Sequence, residues 1–232
     1  TDQLNSLTTA QVASLTTAQV AVLDDDQLSN LGTTQFKALS AAQLAAVTTA
    51  QVASLSTDQL SVMTAAQVKG IETADFAKLS TDQLAALNSA ATVALTSDQL
   101  TALTTTQAAG LGTAQLSALS RTQVQYLETA DLAKLGSDQI RSLNSLAISG
   151  LTTAQVLALS TDQLTALQTG QVAALTTAHA AALSSTAAAK LGTDQVAALS
   201  SAQVKALSTS AFANLSTDQL RALTTKAVAA IS

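Results

Sequence analysis

The single histidine, His179, stands in "LTTAHAAAL" (Leu175 to Leu183), where an imidazole could serve as a base or a metal ligand. Either role requires partner residues, and a lone His builds neither a metal site nor a triad. It reads as a tolerated substitution at a helix-capping position. The run Asp24-Asp25-Asp26 offers oxygen atoms of the kind calcium takes, and weak calcium binding there is one expectation. The simpler one is a capped helix start whose dipole favours acids, and the lone Asp58, Asp82, Asp98, Asp162 and Asp218 read the same way. Phe36, Phe76, Tyr126 and Phe212 are isolated, as local core fillers or surface spots rather than a stacking platform.

There is no cysteine, hence no thiolate nucleophile, disulfide or zinc–thiolate site. No glycine-rich phosphate loop, G-x-S-x-G elbow or HExxH pattern occurs. Catalysis needs different residues held in one singular place, which a near-uniform repeat does not offer. The expectation is therefore no enzyme, with no catalytic, cofactor-binding or metal residues and no cofactor. A net charge of −5 argues against nucleic acid, which requires clustered Lys and Arg. No apolar run approaches the roughly 20 residues that span a bilayer, so no membrane insertion is expected. No secretory leader is visible at Thr1.

The elements that would position any site follow from one rule. Lettering successive eights a to h, with a at residues 8, 16, 24 and onward, position h is Leu at 25 of 29 places. Position d is Gln at 21 of 29, and position e is a large apolar residue at 25 of 29. A single long helix fails, because eight steps of about 100° overshoot two turns by about 80° and the apolar stripe would wander. A strand fails too, because the apolar spacing alternates five and three, never two.

Short helices fit. Position a is Ser, Thr, Asp, Asn or Gly at 26 of 29 places, which is the N-cap set. Gln three residues later completes a capping box, and the residues at h and e form a hydrophobic staple across it. All fifteen acids lie at a to d, and eight of the ten bases at f or g. That polarity suits a helix dipole renewed in every octad. The chain is therefore expected to be all-α over residues 1–232: one solenoid of about 29 octads, each a capped helix of under two turns. The h and e residues should face inward and the a to d edge outward.

A longer period overlies the first. "ETADFAKL" (72–79), "ETADLAKL" (128–135) and "SSTAAAKL" (184–191) lie seven octads apart and align Lys78, Lys134 and Lys190. "NSAATVAL" (88–95) and "NSLAISGL" (144–151) share that step, and both lack the Gln. Seven octads therefore form a unit. Either a block was duplicated, or seven octads complete a whole number of superhelical turns.

The octad, as in "LSTDQLAA" (79–86) and "LTTAQVAS" (7–14), resembles tandem arrays in very large secreted or surface proteins of proteobacteria, of the RTX or Bap adhesin type. The resemblance implies a stalk or display segment at the bacterial cell surface or outside it. The calcium-binding nonapeptides of RTX proteins are absent, so no ligand residues carry over.

The leading expectation is a non-enzymatic structural segment, an elongated spacer or scaffold cut from a longer array. Two alternatives stand beside it. One is a module presenting a Thr/Gln-rich edge to a glycan, mineral or ice surface, and the other is a filament subunit. Thr1 begins inside an octad and Ser232 is the cap of a further one. Leu4 and Leu7 at one end and Val228 and Ile231 at the other would then leave apolar end faces that invite end-to-end self-association.

Overall fold

The computed structural model describes Leu4 and residues 6–223. Val228 and Ile231 lie outside the described residues. From Thr9–Ala13 to Thr217–Ala222, every octad carries one helix of four to six residues, and no strand occurs among the described residues. The octad at 120–127 differs only in forming a 3-10 turn, Gln123–Tyr126.

Most helices start as the capping rule requires. At Thr48 the backbone is extended (φ −80°, ψ 161°), and its hydroxyl accepts from the Gln51 N–H while the Gln51 side chain accepts from the Thr48 N–H. A helix stops within its octad without needing a left-handed residue or a proline. Leu87 (φ −58°, ψ 129°) and Asn88 (φ −71°, ψ 164°) are both extended, which breaks one helix and aims the next. No described residue has positive φ. The redirection needs only two extended residues, one of which is already the next cap.

The core is the h and e rows. Val52, Leu60, Leu84 and Leu100 at e are fully buried, and Leu55, Leu79, Leu87 and Leu103 at h are 5% exposed or less. Phe36 and Phe76 fill e positions and are fully buried, whereas Phe212 is half-buried and Tyr126 is 40% exposed. The chain divides into two compact units between Ala118 and Leu119. Within the first, a helix packs against the one three octads later, as Ala41–Leu44 does against Ala65–Gly70. Within the second, Thr177–Ala182 meets Ser201–Ala206 in the same way. The all-α solenoid of short helices, one per octad, is the observed architecture of each unit.

Small residues at position g permit this stacking. A Cβ added to Gly70 would lie 2.5 Å from the carbonyl oxygen of Ala41, and one on Gly150 would lie 2.2 Å from that of Arg121. In both places the last turn of one helix crosses the first residues of an octad in the preceding turn of the solenoid.

Candidate functional site

The reading that put the whole a to d edge outward fails at d. Gln59 is 1% exposed, Gln67 1% and Gln99 1%. The capping box uses only the carbonyl end of each glutamine, and the amide end has a second task. Gln59 Oε1 accepts from the Ser56 N–H at 3.0 Å. Its Nε2 donates to the carbonyl of Leu28 at 2.8 Å and to that of Leu31 at 2.9 Å. In the second unit Gln163 bonds the carbonyls of Leu132 and Leu135, both at 2.7 Å. The offsets recur: 31 residues back to position e and 28 back to position h. One side chain thus caps its own helix and ties it to the C-terminal end of a helix four octads earlier.

Burial makes the tie matter. A residue at h ends a helix, so its carbonyl has no intrahelical partner. Buried acceptors left unmatched cost of the order of 1–3 kcal/mol each. The carboxamide supplies the donors, and no buried side-chain nitrogen or oxygen among the described residues lacks a partner.

The octads without Gln solve the problem in other ways. Asn88, the cap of an octad whose d residue is Ala91, accepts from the Ala91 N–H at 2.9 Å and donates to the Met63 and Ser61 carbonyls, each at 2.8 Å. Asn144 repeats the exchange with Ala147, donating to Leu119 at 2.9 Å. The carboxamide has moved from d to a, and the acceptor row stays served. His179 is a third solution. Its Nδ1 accepts from the Thr176 N–H at 3.2 Å, and its Nε2 lies 2.8 Å from the Leu151 carbonyl, 28 residues back. Those bonds require a neutral ring protonated at Nε2. Burial pushes this imidazole below its ordinary pKa, and the bond to Leu151 opposes the shift. Asp75 and Asp131 are buried at d as well. A carboxylate can accept there but cannot donate: Asp75 takes a hydrogen bond from the Thr49 hydroxyl, and Asp131 accepts from the Glu128 N–H at 3.1 Å.

The remaining candidates stay apart. Asp24 Oδ1 caps its helix by accepting from the Gln27 N–H at 2.7 Å, and Asp25 and Asp26 are exposed in the first turn. Among the described residues no group of three or more His, Cys, Asp or Glu is placed to hold a metal ion. No described helix is long and apolar enough to cross a membrane. Lys78, Lys134 and Lys190 are exposed.

What recurs, then, is an octad whose Leu, Thr and Gln each have a fixed task. The ALTTAQ repeat matches residues 1–33, 26–57, 68–105, 124–161, 150–177, 180–209 and 201–232. The chain belongs to the ALTTAQ repeat family. No curated protein matches it. In an ALTTAQ octad stacked on an earlier turn, the structure assigns Leu to the core, the first Thr to the cap and Gln to the tie between turns. Because that Gln is buried, the rim offered to solvent is the Ser, Thr, Asp and Ala of positions a to c.

Proposed function

We propose that this ALTTAQ repeat segment is a non-enzymatic spacer, stalk or scaffold within a large extracellular or surface protein. The observation that carries the reading is the glutamine tie, as between Gln163 and Leu135. Each octad is completed by its neighbours alone, so octads can be added without redesigning a core, and length is the property such a chain can vary freely. A surface of Ser and Thr with few charges suits a segment that holds other parts at a distance.

The experiment is to vary length in whole seven-octad units of the sequence. Variants shortened or lengthened by one such unit are compared by small-angle X-ray scattering. The reading expects the maximum dimension to change by a constant increment per seven octads at constant cross-section. A maximum dimension that grows only as the cube root of mass would contradict it.

A further inference from the structure

We propose that the cleft beside Ala187 binds a small primary carboxamide. The octad 184–191 has Ala at d and Ser, not Asn, at a. It therefore brings no carboxamide of its own to the preceding turn. The residues 31 and 28 positions earlier are Val156 and Leu159, the offsets at which Gln163 and Gln195 make their bonds. A cleft of about 130 Å³ opens at this place, lined by Val156, Leu159, Leu164, Leu183, Ser184 and Ala187 among others.

The polar groups at the cleft match one ligand. The Ser184 hydroxyl already accepts from the Ala187 N–H at 3.1 Å, so the cap itself is intact. The Ser184 N–H, the group that the d-position Gln accepts from elsewhere, makes no hydrogen bond among the described residues. Nor does the Leu159 carbonyl receive one there, and the Val156 carbonyl takes only the Leu159 N–H at 3.2 Å. A donor and two acceptors thus belong to residues that line the cleft, at the same sequence offsets that the Gln59 carboxamide bridges in its own octad. Apolar walls from Leu164 and Leu183 would face a short aliphatic tail. Leu157, 58% exposed, lines the opening. Ala211 lacks Gln too but is fully buried, whereas Ala187 is half-buried and open to a ligand.

The ligand class follows from the shape. A glutamine side chain beyond Cα is propanamide, with an acceptor oxygen for Ser184 and two amide protons for Leu159 and Val156. Apolar cavities of similar volume admit molecules as large as benzene.

The test titrates the ¹⁵N-labelled full chain with propanamide to about 0.2 M, since so few atoms supply only weak binding. The expected result is a saturable shift of the Ser184 and Ser160 amide signals. N,N-dimethylpropanamide, which has no donor, and propanoate should give no saturable shift. Ala187→Gln, which fills the cleft with the chain's own carboxamide, should abolish the response and raise the melting temperature. Equal saturable shifts in Ala187→Gln, or a non-saturating response shared by all three compounds, would overturn the proposal.

Discussion

The side-chain amide of Gln59 donates to the carbonyl oxygen of Leu31, 28 residues earlier, at 2.9 Å. Gln19 makes the same capping box, with the Thr16 N–H 2.8 Å from its Oε1, but is exposed. Gln59→Ala removes the box bond to the Ser56 N–H and leaves the buried Leu31 carbonyl without a donor, so it should cost about 2–4 kcal/mol. Gln19→Ala removes only box bonds and should cost about 1 kcal/mol or less. Urea titration of the two variants checks the difference.

Asn88 and Ala91 divide between them what one Ser–Gln pair does elsewhere. Asn88→Ser should cost about 2 kcal/mol, because the Met63 carbonyl loses its donor. Adding Ala91→Gln to that variant restores the ordinary box and should recover stability to within about 0.5 kcal/mol of the parent. Ala91→Gln alone competes with Asn88 for one place and should destabilise. A double-mutant cycle reads this as strong non-additivity.

These octads also show how far the sequence could be read. The caps, the staple and the apolar e and h rows follow from residue type and spacing, because each is written in the eight-residue pattern itself. The burial of d does not follow. Glutamine looks like a surface residue, and the capping box explains its presence without asking where its amide protons go. The signal was present: Asn occupies the cap at residues 88 and 144, the two octads where Ala91 and Ala147 replace Gln beside it. The number of octads per turn was hidden for another reason, since it depends on the angle set by the two extended residues between helices.

His179 gives the fold one pH-sensitive tie. Its folded-state pKa lies below the ordinary 6.5, with desolvation the larger cause. A depressed histidine contributes its full stability when neutral, above about pH 6.5. That stability is lost as pH falls from there toward the lower folded value, because the unfolded chain binds the proton first. His179→Gln should remove this loss. The check is the difference in melting temperature between pH 7.5 and 5.0, larger in the parent than in the variant.

The core row carries ordinary packing energy. Leu103 is 5% exposed, so Leu103→Ala should destabilise by roughly 2–5 kcal/mol. Lys69 is exposed near the end of its helix, and Lys69→Ala should fall within about 0.5 kcal/mol. Chemical denaturation of both variants orders the two faces of the octad.

The central claim is that buried glutamine amides hold each turn of the solenoid to the one before it. Side-chain amide exchange and contacts, followed by NMR on ¹⁵N-glutamine-labelled protein, test it most directly. The Nε2 protons of Gln59, Gln67 and Gln99 should exchange slowly and show nuclear Overhauser effects to the residues carrying their acceptor carbonyls, Leu31, Leu39 and Ile71. Those of the exposed Gln19 should exchange freely. Gln59 protons that exchange as fast as those of Gln19, with no contact to Leu31, would contradict the account.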